Sequence, residues 1–229
     1  MGSISEEITR HLDHMNGAIT IGGLTIPQSV YITWGVMLAL VLLAIWFTRH
    51  MEVVPTKKRQ IIIEGLIGKL YDVFYGIVGE AGKRYIPYLL TVLLYLAISN
   101  MLGLLGITPP TKDLNVTAGM AIMSILLVQY ASIRRKGVGR WMKSFTQPLA
   151  IITPLNVLEL AIKPLSLCMR LFGNILGAYI IMELIKSACP AVAPMIASLY
   201  FDIFDALLQA YVFVFLTSLY IQEGMAVED

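Results

Sequence analysis

The chain has 229 residues, of which 57% are hydrophobic and only 14% are charged, and its formal net charge is +2. Soluble domains carry about 25% charged residues, so this composition argues against a soluble domain and predicts a chain largely surrounded by lipid. The sequence has no basic patch interleaved with aromatic residues, no glycine-rich phosphate loop and no metal-ligand cluster. We therefore expect no nucleic-acid partner, no cofactor, no metal site and no catalytic residues.

Five apolar blocks are long enough to cross a bilayer, which takes about 20 residues. They run over residues 31–47, 85–107, 116–133, 154–185 and 191–221. Residues 1–29 carry acidic and basic side chains and lack the pattern of a signal peptide, so they are expected to form an external segment before a retained first span. The apolar positions of residues 60–82 are interrupted by Glu64, Lys69, Asp72 and Glu80, which predicts an amphipathic helix at the membrane interface.

The distribution of lysine and arginine among the loops predicts the orientation of the chain in the membrane. They concentrate in residues 49–59, 83–84 and 134–143, whereas the loops after the second and fourth blocks contain only Lys112 and Lys186. The basic loops are expected to be cytoplasmic, with the N-terminus outside and the C-terminus in the cytoplasm. The prediction is a single all-α membrane domain over residues 1–229, with about five transmembrane helices.

The last two blocks are unusually long. A helix of about 30 residues measures about 45 Å, whereas the hydrocarbon core is about 30 Å thick. Residues 148–223 are therefore expected to form a long tilted hairpin. Such surplus length suggests that the hairpin packs along another surface.

Polar residues form a stripe on each of these two helices. On the fourth block the spacing places five of them on one helical face, while Glu183 falls on the opposite side: Asn156, Glu159, Lys163, Arg170 and Asn174. On the fifth block Asp202, Asp205 and Gln209 share a face at i, i+3 and i+7. Polar groups at membrane depth are costly and usually line water or an ion path.

With the predicted orientation, the stripes suggest two polar cavities on opposite sides of Arg170. Asn174, Glu183, Asp202, Asp205 and Gln209 belong to the external half, and Asn156, Glu159 and Lys163 belong to the cytoplasmic half. The fixed positive charge between them would stop a cation from passing directly. Two structural alternatives stay open: Glu159 and Lys163 could pair at i, i+4, and Arg170 could pair with Asp202 or Asp205.

Four stretches resemble a known family. In chain order, "DLNVTAGMA", "KGVG", "KPLSLCMRLFGNILGAYIIMELI" and "LLQAYVFVFLTSLYI" are similar to subunit a of the F-type ATP synthase, and the resemblance covers about Tyr85 to Glu223. The family's arginine, asparagine and glutamine correspond to Arg170, Asn174 and Gln209. Two positions depart from the pattern: Tyr179 stands where many members have an acid or histidine, with Glu183 one turn later, and Asn156 stands where some members have a glutamate, with Glu159 one turn away. Asp202 holds the place of a frequent histidine or acid.

The resemblance implies a stator subunit in the cell membrane that lies against a ring of c subunits and contacts peripheral-stalk b subunits. Two half-channels would lead to a carboxylate on the ring, Arg170 would separate them, and ATP chemistry would lie on other subunits. The alternative is a free-standing secondary transporter or ion channel, a class that often shows internal repeats. We find no convincing repeat in the sequence.

Overall fold

The computed structural model describes residues 19–21, 24–49, 51–52, 57–105, 107, 109–144, 153–188, 197–198 and 200–226. Two short strands, β1 (Ile19–Ile21) and β2 (Leu24–Ile26), pair antiparallel with Ile19 opposite Ile26. Hydropathy and periodicity do not predict these strands, although both contain the β-branched residues that favour strands. The other described elements are helical, and the predicted all-α polytopic fold is confirmed.

Seven α-helices follow the strands. They are α1 (Gln28–Thr48), α2 (Lys58–Gly82), α3 (Ile86–Met101), α4 (Leu114–Lys136), α5 (Val138–Ser144), α6 (Thr153–Ala188) and α7 (Ala206–Met225). Within the described ranges, four segments are long and apolar enough to cross a membrane: α1, α4, residues Thr153–Met182 of α6, and Ile203–Met225. The charged side chains of α2 keep it out of this group, and its predicted place at the membrane interface stays a prediction.

The second predicted span has a short α-helix at its centre. Helix α3 has 16 residues and measures about 24 Å. Single 3-10 turns at Lys83–Tyr85 and Leu102–Leu105 extend it at both ends. Ile86, Leu89 and Leu96 are fully buried, because α3 packs along α7 in the middle of the bundle.

Side-chain contacts near helix ends define the relative directions of the helices. Contacts between like ends join Ser29 of α1 to Asp113 before α4, and Ser132 of α4 to Gly224 of α7. Contacts between unlike ends join Asn100 of α3 to Ala206 of α7, and Lys163 of α6 to Glu223 of α7. Helices α1, α4 and α7 therefore run in one direction, and α3 and α6 run in the other, which is the alternation that five successive crossings require.

The apolar core lies between α2, α3, α4, α6 and α7. Phe74, Leu89, Leu171 and Phe213 are among its fully buried side chains. Helix α1 stands at the edge, where Val36 is its one buried residue and its large apolar side chains face outward. Outward apolar side chains on a spanning helix are what lipid contact requires.

Candidate functional site

Helix α6 positions Arg170 on the outer surface of the bundle. Leu167, Cys168 and Leu171 are buried, and the Cys168 Sγ atom lies 3.6 Å from the Thr117 hydroxyl of α4. These three residues fix the inward face of the helix. Arg170 falls on the other side and is exposed, because adjacent helical positions are separated by about 100°.

Arg170 has no partner among the residues that the structure describes. No described carboxylate lies within ion-pair distance of its guanidinium, Asp205 included. The side chains of Asp202 and Glu183 lie outside the described part of the chain. Elsewhere on the surface of α6, Leu165 and Met169 are 60% and 52% exposed, and Asn174 is exposed one turn after Arg170. A permanent charge thus stands on the exposed surface of a spanning helix, a placement that costs roughly 2.5–3.5 kcal/mol in lipid.

One turn after Arg170, a pair of amides joins α6 to α7. The Asn174 Nδ2 atom donates a hydrogen bond to Gln209 Oε1 over 2.5 Å. Gln209 is 1% exposed, and its own Nε2 group has no acceptor among the described residues. A buried donor left unsatisfied costs about 1–3 kcal/mol, so this N–H is available to another polar group. The structure therefore brings together two predicted site residues, Asn174 and Gln209, beside the third, Arg170.

Asp205 lies at the start of α7, after a wide helical turn. Residues Tyr200–Asp205 form a π-helical turn, and Asp205 is half-buried at its end. Such turns occur frequently at functional sites. The predicted shared face of Asp202, Asp205 and Gln209 depends on α-helical spacing between them. The π turn has more residues per turn, so that spacing does not extend back to Asp202.

A buried polar group that the sequence analysis missed lies close to the start of α7. The Thr111 hydroxyl donates to Asn100 Oδ1 over 2.7 Å, and Asn100 Nδ2 donates to the Ala206 carbonyl over 3.4 Å. Ser99 is also fully buried. Ala206 is three residues before Gln209, so this group holds the turn that carries the glutamine. Its signal in the sequence is the polar pair Ser99–Asn100 inside an otherwise apolar block.

Lys163 forms a second polar group, between α6 and the C-terminal end of α7. Its Nζ atom lies 2.9 Å from Glu159 Oε1 and 2.9 Å from Glu223 Oε1, and 5.2 Å from the centre of the Tyr220 ring. The predicted alternative in which Glu159 and Lys163 pair is the arrangement seen, and α7 supplies a carboxylate that was not predicted. Asn156 is half-buried about one turn before Glu159. Lys163 and Arg170 are separated by about 10 Å along the helix.

These features define a class of protein: a multi-pass helical membrane protein with an arginine unpaired by the described residues, an exposed asparagine bonded to a buried glutamine beside it, and a carboxylate–ammonium group about 10 Å away. The profile of the family described as ATP synthase A chain matches residues 30–222. The chain therefore belongs to the ATP synthase A chain family and is a membrane subunit of ATP synthase.

Relatives from several bacteria support this assignment. The sodium-ion-specific ATP synthase subunit a of Propionigenium modestum is 34% identical over 224 residues, which cover 91% of this chain and 77% of the relative. The ATP synthase subunit a of Legionella pneumophila is 32% identical over 93% of this chain and 92% of its own length. That of Moorella thermoacetica is 33% identical over 88% and 92%. The predicted resemblance to this family is thereby confirmed.

Proposed function

We propose that this chain is the ion-translocating stator subunit of a rotary ATP synthase. It would lie against a ring of c subunits, with peripheral-stalk b subunits as further partners in the lipid bilayer. Two offset half-channels would connect the two sides of the membrane to a carboxylate on the ring, and Arg170 would separate them. ATP synthesis and hydrolysis would take place on other subunits.

The observation that carries this proposal is the position of Arg170. Arg170 is exposed on the surface of a spanning helix, and its guanidinium has no carboxylate partner among the described residues. An arginine stays charged at any physiological pH, so a partner from another chain would offset the cost of placing it in the membrane. A carboxylate that moves past on a ring fits this need. The 36-residue length of α6 also suits a helix that follows a neighbouring curved surface.

The polar residues around Arg170 would line the two half-channels. On one side stand Asn174, Gln209 and Asp205, and the resemblance adds Glu183 and Asp202 to this group. On the other side stand Asn156, Glu159 and Lys163. The latter group has a competing role, because the observed ion pairs of Lys163 with two carboxylates also hold α6 against α7.

The transported ion is a proton or a sodium ion. One relative is named as sodium ion specific, whereas the Legionella and Moorella relatives carry no ion in their names. In this proposal the N-terminus is outside and the C-terminus is cytoplasmic, as the distribution of lysine and arginine predicts.

ATP-driven ion uptake tests the proposal in vesicles that contain the whole complex. Wild type, Arg170→Ala and Arg170→Lys are compared with both a proton-sensitive dye and radioactive sodium. We expect both variants to assemble and to lose coupled uptake, because lysine lacks the planar guanidinium fork and loses its proton more readily in an apolar site. Arg59→Ala, which removes an exposed arginine of α2, is the control and should keep wild-type uptake.

Coupled uptake by Arg170→Ala at the wild-type rate would show that the charge is structural. Co-purification separates the proposal from the alternative of a free-standing transporter or channel. The stator role requires that a c ring and other subunits purify with this chain. A single chain that transports ions alone in vesicles would support the alternative instead.

A further inference from the structure

A basic corner lies where α4 meets α5, away from the site described above. It consists of Arg134 and Arg135 at the end of α4 and Arg140 in α5, and all three are exposed. Within the described ranges, no carboxylate pairs with any of them. Arg134 donates a hydrogen bond to the Tyr130 hydroxyl over 2.8 Å. The corner therefore presents three positive charges that the described residues do not neutralise.

The backbone turns back at this corner. Gly137 adopts a φ of +81°, a conformation that favours glycine, and its N–H donates to the Ile133 carbonyl over 2.8 Å. The Trp141 indole N–H then donates to Gln129 Oε1 over 3.0 Å. Gln129 is seven residues before the end of α4, which is about 10 Å along the helix axis. Trp141 thus lies level with the last two turns of α4, where a spanning helix passes through the membrane interface.

The exposed face of α4 changes from apolar to basic toward the C-terminal end of the helix. Ile122, Leu126, Tyr130 and Arg134 follow each other at intervals of four residues and share one face. The first three are 54%, 63% and 51% exposed. Their order is apolar, then tyrosine, then arginine, which matches the passage from hydrocarbon through the interface to the headgroups. This order is typical of a helix face in contact with a lipid leaflet.

Helix α5 also exposes both apolar and basic side chains. Val138 and Met142 are one turn apart and are 61% and 64% exposed, while Arg140 is exposed between them in sequence. Tryptophan is enriched at the membrane–water interface, where its ring is apolar and its N–H is polar. A short helix with exposed apolar residues, a tryptophan and basic residues is typical of a segment that lies in the interface.

We propose that the basic corner binds the headgroups of anionic phospholipids in the leaflet at the C-terminal end of α4. Arg134, Arg135 and Arg140 contact the phosphates, and Val138 and Met142 insert among the upper acyl chains. The charge of the corner is complementary to an anionic headgroup and not to a zwitterionic one. Trp141 reports on this site because it is adjacent to Arg140 and Met142.

Tryptophan fluorescence of the full chain tests this inference. Trp34→Phe and Trp46→Phe leave Trp141 as the one tryptophan in the sequence. The protein is reconstituted in two sets of phosphatidylcholine vesicles, each with an acyl-brominated lipid as quencher. One set contains brominated phosphatidylglycerol, and the other contains the same fraction of brominated phosphatidylcholine. We expect brominated phosphatidylglycerol to quench at least about twofold more strongly, with the difference shrinking at high salt because screening weakens the attraction.

Matched variants test whether the basic corner causes the stronger quenching by phosphatidylglycerol. Changing Arg134, Arg135 and Arg140 to glutamine should make the two lipids quench equally, whereas changing the same three to lysine should keep most of the preference. The control changes Lys58, Arg59 and Arg84 to glutamine, which removes the same charge from exposed positions elsewhere and should keep the full preference.

Three results would overturn the inference. Equal quenching by both lipids in the chain with its arginines intact would mean that no anionic lipid is bound. An absence of quenching by either lipid would show that Trp141 faces protein instead of lipid. A preference that survives the triple glutamine change, or that is lost equally in the control, would mean that the basic corner does not cause it.

Discussion

The substitution Thr111→Val tests the buried hydrogen bonds that hold the start of α7. Thr111 is 0% exposed and Asn100 is 6% exposed, and the two are joined by the 2.7 Å bond from the threonine hydroxyl to Asn100 Oδ1. Asn100 in turn donates to the Ala206 carbonyl. Valine keeps the shape of threonine but removes the donor. The Asn100 carbonyl is then left buried without this hydrogen bond.

Two known free-energy ranges limit the loss of stability that is expected for Thr111→Val. A buried polar group without a partner costs about 1–3 kcal/mol in soluble proteins. Hydrogen bonds between membrane helices average about 0.6 kcal/mol and reach about 1.7 kcal/mol, because the unfolded chain in the membrane also finds partners. We therefore expect Thr111→Val to lower the free energy of unfolding by about 1–2 kcal/mol. For a chain of this length, that loss lowers Tm by about 2–8 °C.

Thermal unfolding of the purified chain in one detergent, followed by far-ultraviolet circular dichroism, measures the effect. Thr91→Val is the matched control, because Thr91 is exposed and donates to the Pro87 carbonyl of its own helix, over 2.8 Å. The control should change Tm by less than about 1 °C. A Tm of Thr111→Val equal to that of Thr91→Val would refute the reasoning.

A double variant adds an independent check on the same pair. If Thr111 acts through Asn100, the combination of Thr111→Val with Asn100→Leu should destabilise by less than the sum of the two single changes, because neither group is then left facing a lost partner. Strict additivity would mean that the two side chains do not interact in solution.

Two further predictions concern contacts at the other end of the bundle. Lys163→Met should lower the free energy of unfolding by about 1–2 kcal/mol, because its two carboxylate partners are more than half exposed and such pairs are individually weak. Lys163→Arg should recover most of this stability, and a loss that persists unchanged at 1 M salt would contradict the ion-pair explanation. Gly82→Ala should destabilise by about 1–3 kcal/mol through overpacking, since an added Cβ would lie 1.7 Å from the Val78 Cγ1 atom. Gly76→Ala has open space around it and should be neutral or stabilising; the opposite ranking in the same thermal assay would disprove the packing argument.

The fold was largely predictable from the sequence. Hydropathy and the 3.6-residue period are local properties, and they predicted the spans, the amphipathic segment before the second span and the long helix that the structure shows as Thr153–Ala188. The prediction of an all-α polytopic protein rests on these properties alone. The π turn before α7 and the two short strands were not predicted, because neither leaves a distinct periodic pattern.

The sequence by itself also determined that Arg170 is exceptional, since a permanent charge within an apolar run stands out without any structure. The pairing of Asn174 with Gln209 links residues 35 positions apart, and that of Asn100 with Ala206 links residues 106 apart. Such contacts depend on how the helices pack, and helical periodicity gives only the face of each helix. Only the tertiary structure decided that Lys163 joins α6 to Glu223, that Gln209 is buried, and that Arg170 faces away from the core of its own chain.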